Sequence, residues 1–131
     1  MLLEGLLLQA QAAQVQQLLT LAPPGMLCIS DFSLHSIGLI LTRSKFHNVF
    51  IQFIEDMILS GFLTLLFVAP EELPQVVQYQ LQFGLDFDDA YQYTVAELNN
   101  LEIISFDSDF DRTIKGRKVP IDAIRHIASS Q

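Results

Sequence analysis

Leu85-Asp86-Phe87-Asp88-Asp89-Ala90-Tyr91-Gln92-Tyr93-Thr94-Val95-Ala96-Glu97, then Leu101-Glu102-Ile103-Ile104-Ser105-Phe106-Asp107-Ser108-Asp109-Phe110, is a helix that opens on carboxylates and a short apolar strand that closes on them. Asp86 stands where a helix cap belongs, and Ala90, Tyr93, Thr94 and Leu98 follow at helical spacing up to Asn99-Asn100. Ile103, Ile104 and Phe106 then read as a buried strand, with Asp107 and Asp109 just past its end. When a helix start and a strand end both carry aspartates, the chain brings acidic groups to one edge of a sheet.

The same alternation extends outward in both directions. Met26 to Ile29 reads as a short buried strand, and Ser30 or Asp31 caps a helix running from about Asp31 to Arg43 on Leu34, Ile37 and Leu41. Phe46, Phe50, Phe53, Ile54, Met57 and Ile58 mark a further helix that ends at Ser60-Gly61, and Leu63 to Val68 is a continuous apolar strand. Pro70 opens a helix with Glu71 and Glu72 in its first turn, and Gly84 ends it. Lys118-Val119 reads as a last short strand before a helix opened by Pro120. At the start of the chain, Leu2, Leu3, Leu6, Leu7, Val15, Leu18 and Leu19 recur at mostly helical spacing, so residues 2 to 20 read as one amphipathic helix ended by Pro23-Pro24-Gly25. Helices alternating with buried strands predict a three-layer α/β/α fold on a mainly parallel sheet, with its binding crevice outside the C-terminal strand ends.

Length and composition bound the rest. The chain has 131 residues, enough to bury one core, and residues 1–131 read as a single domain. The lone cysteine, Cys28, lies in an apolar run; it excludes an internal disulfide and fits a reducing compartment. There is no basic region ahead of Leu6-Leu7-Leu8, and no apolar stretch reaches the roughly 20 residues of a spanning helix, so the expected location is cytoplasmic, without a membrane partner. A net charge of −8 opposes long-range attraction to nucleic acid, so contact with a polyanion must be local and assisted. The charge is also uneven: Lys and Arg are absent between Lys45 and Arg112, then return as Arg112, Lys115, Arg117, Lys118 and Arg125. That pattern fits either a metal site beside an anion-guiding rim or simply solvated faces.

The segments quoted at the outset resemble the C-terminal half of PIN-domain ribonucleases, including the VapC-like toxins of toxin–antitoxin pairs. In that family an acidic residue opens a helix in a "D-A-x-x-x-x-x-A" context, here Asp89-Ala90 with Ala96. A later "T/S-x-D-x-D-F" turn falls on Ser105, Asp107, Asp109 and Phe110. Ile29-Ser30-Asp31-Phe32-Ser33-Leu34-His35-Ser36-Ile37 resembles the family's second strand and helix, and the resemblance spans about residues 15 to 121. It implies a Mg²⁺- or Mn²⁺-dependent endoribonuclease with Asp89 and Asp107 as catalytic metal ligands, Asp109 as a further ligand acting through water, and Ser105 orienting an oxygen. It also implies RNA as substrate, an antitoxin protein as partner and a homo-oligomer. Independently of the family, hard cations take oxygen ligands, and converging carboxylates hold an ion that activates water and neutralises phosphate.

Each acidic residue has a plainer role beside this one. Asp86 reads first as a cap, Asp88 and Asp111 as solvated charges, Asp109 as the cap of a short turn, and Asp89 as the third helical residue of a capping box. His35, His47 and His126 have no partners at ligand spacing. The chain also departs from the family pattern. That pattern begins with a strand ending in Asp, whereas Met1-Leu2-Leu3-Glu4-Gly5 resembles the helix after it, so the first strand is expected to be missing. Ser36 stands where the family usually carries Glu. The expected function is therefore a PIN-like endoribonuclease with a degenerate or truncated site. The alternative is a non-catalytic interaction module that binds an antitoxin or itself, with the leucine-rich first helix as a contact. A receiver-like phosphoacceptor domain is a weaker third reading.

Overall fold

The protein is described by a computed structural model covering residues 1–3, 13–105 and 107–129. Its strands are β1 (Leu2–Leu3), β2 (Leu27–Ser30), β3 (Leu63–Leu66), β4 (Ile103–Ile104) and β5 (Arg117–Lys118). They form one sheet in the order β3-β2-β1-β4-β5, and every pairing is parallel. The helices are α1 (Ala13–Leu21), α2 (Asp31–Arg43), α3 (His47–Phe53), α4 (Leu73–Phe83), α5 (Phe87–Leu98) and α6 (Pro120–Ser129). The three-layer parallel fold expected from the alternation of elements is the fold observed.

Two expectations for the start of the chain are corrected. The first strand is present, not missing: Leu2 pairs with Cys28 on one side and Ile103 on the other, and Leu3 with Ile104. Residues 2 to 20 are likewise not one helix. Leu2 and Leu3 are strand, Leu6 and Leu7 lie outside the described residues, and the helix that is described begins at Ala13. Two adjacent leucines satisfy a helical pattern as readily as a two-residue strand, and burial on both sides of the sheet decides between them. Glu4 follows this strand in the sequence and also lies outside the described residues.

Successive side chains of a strand point to opposite faces, and the core divides accordingly. Leu2, Cys28 and Ile103 pack on one side with Val76, Tyr93, Val95 and Phe110. Leu3, Leu27, Ile29, Leu63 and Ile104 pack on the other with Val15, Leu18, Ala123 and Ile127. Val15 and Leu18 of α1 are therefore spent in the chain's own core, against α6, rather than offered as an oligomer contact.

Local chemistry sets the element ends. Ser30 Oγ accepts from Ser33 N at 3.0 Å and caps α2, which runs from Asp31 to Arg43 as read from sequence. The helix expected up to Ser60-Gly61 continues past Phe53 as a π-helical turn, Ile54–Leu59. Pro70–Glu72 forms a 3₁₀ turn ahead of α4, and Gly84, at φ 64°, ends α4 in the left-handed conformation that glycine adopts without penalty. α5 follows within three residues and packs against α4 through Tyr79, Phe83 and Tyr93.

Tyr91 ties this layer to the ends of two strands. Its hydroxyl donates to Asp31 Oδ1 at 2.8 Å and accepts from Val68 N at 3.1 Å. Burial, and secondarily the Asp31 carboxylate, push the phenol's pKa up, so it remains a donor. Tyr91→Phe leaves the Val68 N–H without its acceptor and is expected to cost about 1–3 kcal/mol of stability, measured by urea denaturation.

Candidate metal centre

The C-terminal ends of β2, β1 and β4 lie side by side, and the chain reverses direction across the sheet at β1: β2 and β3 extend to one side, β4 and β5 to the other. A crevice at such a reversal is where open parallel sheets bind ligands. Two segments bring carboxylates there. α5 carries Asp89 at its third residue, and the turn after β4 carries Asp107 and Asp109. One carboxylate oxygen from each of the three lies within 4.8 Å of the others. The three residues expected from sequence as ligands are thus brought together.

Their surroundings differ. Asp89 is 7% exposed, in the buried face of α5. Asp107 is half-buried and held by its own turn: its N–H donates to Ser105 Oγ at 2.9 Å, and its Oδ1 accepts from Asp109 N at 2.9 Å, capping the 3₁₀ turn Ser108–Arg112. The cap expected of Asp109 is therefore made by Asp107. Ser105, almost wholly buried, orients this turn. Asp109 faces Arg112, whose Nη2 lies 3.3 Å from Asp109 Oδ1 while Nη1 donates to Gly84 O at 2.8 Å. Gly84 O therefore tethers the guanidinium beside the cluster.

The remaining acidic residues fall to other tasks. Asp86 occupies the N-cap position of α5 but makes no side-chain cap bond. Asp88 is exposed, and Asp111 pairs with Arg117 at 3.2 Å. The basic tail does not form an open rim. Arg112, Lys115, Arg117, Lys118 and Arg125 pair with Asp109, Glu97, Asp111, Glu102 and Asp122 respectively. The closest of these, Lys118 to Glu102 at 2.7 Å, joins β5 to the residue before β4 and holds the Glu102 carboxyl below its ordinary range. Two features escaped the sequence reading. Arg112 read only as part of a charge run, and Gln92 read only as helix interior, although an amide one turn after Asp89 among apolar neighbours is a visible anomaly.

Three carboxylates converging from two segments form an oxygen donor set of the kind that holds Mg²⁺ or Mn²⁺ with several waters retained. The residues present therefore fit a divalent cation.

With this fold and this cluster, the sequence matches the PIN domain family over residues 2–116, and the chain belongs to that family. The match begins earlier than the resemblance read from residue 15, at the strand now identified. No curated protein matches the chain. Among solved structures, a toxin–antitoxin complex from Klebsiella pneumoniae superposes with TM-score 0.72 at 20% identity, covering 91% of this chain and 96% of that one. PAE2754 from Pyrobaculum aerophilum gives TM-score 0.72 at 22% identity, over 98% and 94% of the two chains. VapC20 from Mycobacterium tuberculosis, described as a sarcin–ricin loop cleaving toxin, gives 0.66 at 17%, over 89% and 98%. At these identities the likeness is one of fold. PIN domains are generally divalent-metal dependent, in keeping with the acidic cluster. Among the described residues no helix is long and apolar enough to cross a membrane.

A cation that binds only the folded state stabilises it, by about 2.7 kcal/mol at roughly one hundred times Kd. Mn²⁺ is expected to raise the melting temperature by several degrees, and Asp89→Asn to abolish the rise. Arg112 repels a cation and competes for Asp109 across an exposed pair. Arg112→Gln is therefore expected to tighten Mn²⁺ binding by up to about fivefold in low salt, the gain shrinking as salt is added, by calorimetric titration.

Proposed function

We propose that the chain is a metal-dependent endoribonuclease of the toxin–antitoxin kind, in which Asp89, Asp107 and Asp109 hold Mg²⁺ or Mn²⁺ at the sheet's C-terminal edge. The observation that carries this reading is the convergence of those three carboxylates from α5 and the turn after β4. The cleaving toxin among the fold relatives supports RNA as the substrate class. A bound divalent cation supplies charge neutralisation at a phosphate and a more acidic water. The protein's own contribution is placement. Asp89 is fixed on a buried helix face, and Asp107 is fixed by Ser105 and by the turn it caps. Asp109 is shared with Arg112 and is the most easily moved of the three.

The donor set is leaner than the family pattern implies at one position, since the sequence carries Ser36 rather than Glu in α2. Fewer groups to orient the attacking water mean a slow enzyme. A second reading rests on a different observation. Ile40, Phe46, Val49 and Ile51 are exposed on α2, α3 and their connection, where Gly38 lets the Phe50 ring approach closely. We read this as a protein-binding surface for an antitoxin-type partner or a second copy, usable with or without catalysis.

Purified protein is expected to cleave RNA in Mg²⁺ or Mn²⁺, and Asp89→Asn or Asp107→Asn to slow cleavage at least about a hundredfold. Metal-independent cleavage, or cleavage unchanged in Asp89→Asn, overturns the nuclease. No cleavage, together with a stable complex lost on Phe46→Asp and Val49→Asp, establishes the interaction module instead.

A further inference from the structure

Gln92 lies one turn beyond Asp89 on α5 and is 3% exposed. Its Nε2 donates to Ser33 Oγ at 2.7 Å. Ser33 belongs to the first turn of α2 and is itself fixed to Ser30, the last residue of β2, through its N–H at 3.0 Å and a hydroxyl pair at 3.3 Å. These bonds anchor one half of the amide to the end of β2. The other half, Oε1, is buried and, among the described residues, has no hydrogen-bond partner. If the amide were flipped, Nε2 would be left over in its place, so in either orientation one polar group of a buried side chain is unmatched. Such a group costs about 1–3 kcal/mol wherever it stays unmatched.

The position of this amide gives it a use. Residues three apart share a helix face, so Asp89 and Gln92 are neighbours along α5. Asp89 meets Asp107 and Asp109 beyond the end of β4, and Gln92 meets Ser33 at the end of β2, with β1 between those strands. The three carboxylates thus gather on the β4 side of α5, and one helical turn away, toward β2, the buried Gln92 amide and the Ser33 hydroxyl lie beside Asp31, whose carboxylate is engaged by Tyr91. A hard cation bound by few carboxylates keeps much of its hydration shell, and waters in that shell point their protons outward. An acceptor without charge suits this position, because it takes those protons without adding to the carboxylates already present.

We propose that Gln92 is a positioning residue of the metal site, its Oε1 accepting a hydrogen bond from the hydration shell of the cation held at Asp89, Asp107 and Asp109. This rests on the metal reading given above. It assigns the Gln92 amide, and Ser33 behind it, the task of orienting water rather than binding the ion. Groups that act on a metal through its ligands alter affinity substantially when removed.

The test uses the full chain and Mn²⁺ alone, with calorimetric titration for affinity and thermal melting without metal for stability. Gln92→Met keeps the shape but removes the amide. It is expected to weaken Mn²⁺ binding about tenfold, at the low end for such outer partners, while metal-free stability changes little, because the lost bond to Ser33 is offset by removal of the unmatched buried oxygen. Gln92→Glu, nearly isosteric, is expected to give tighter binding and a lower metal-free melting temperature. Loss of affinity without loss of stability in Gln92→Met, and opposite movement of the two in Gln92→Glu, is what a packing role does not produce. Wild-type affinity in Gln92→Met, or affinity and stability falling together in both variants, overturns the proposal. Should wild-type protein show no Mn²⁺ binding that Asp89→Asn abolishes, the metal reading fails and this proposal with it. Binding abolished by Asp89→Asn but indifferent to Gln92 removes only the proposal.

Discussion

Two residues hold the structure together. Leu2 and Leu3 form the middle strand of an all-parallel sheet, and each faces a different layer of the core. A parallel sheet is stable only with both faces covered, and here the covering layers meet through a strand too short to hold by its own hydrogen bonds. Burying each leucine is worth about 1.5–3 kcal/mol, but their positional effect is larger. They keep β2 and β4 two strand spacings apart, about 9–10 Å, a gap that the first turns of α5 bridge. The crevice has its width because β1 is there.

The chemistry of the crevice follows from that spacing. α5 is packed deeply enough that Asp89 has almost no exposure, so its carboxylate is largely withdrawn from solvent. The turn after β4 is ordered by a separate set of bonds, Ser105 to Asp107 and Asp107 to Asp109. Neither segment makes a site alone. Their meeting depends on Gly84 turning α4 into α5, and the same residue's carbonyl tethers the arginine that partly offsets the charge of the cluster.

Much of this was legible in the sequence, and the parts that were not share a cause. α2 announces both its ends, because a serine cap and a terminal arginine are local signals. The ligand candidates Asp89, Asp107 and Asp109 were legible jointly, since acidic residues at a helix start and a strand end imply a common edge. β1 was not legible: a pair of leucines followed by more leucines carries no period of two, and only its neighbours across the sheet make it a strand. The order of strands, the pairing of every basic side chain from Arg112 to Arg125, and the contact of Gln92 with Ser33 are likewise non-local. Asp31 shows the limit at one residue. Ser30 and Asp31 read as alternative caps; Ser30 makes the cap, and Asp31 takes the Tyr91 hydroxyl, a contact no local signal announces.

The pairing of the basic tail has a kinetic consequence. A chain of net charge −8 whose late cations are each committed to a neighbouring carboxylate offers an approaching polyanion no attractive patch there. Diffusional encounter is then hindered by the long-range field, and added electrolyte, by shortening that field to within about 10 Å, speeds the encounter. A partner that stays must then do so through short-range complementarity, which acts on the rate of departure rather than on the rate of approach.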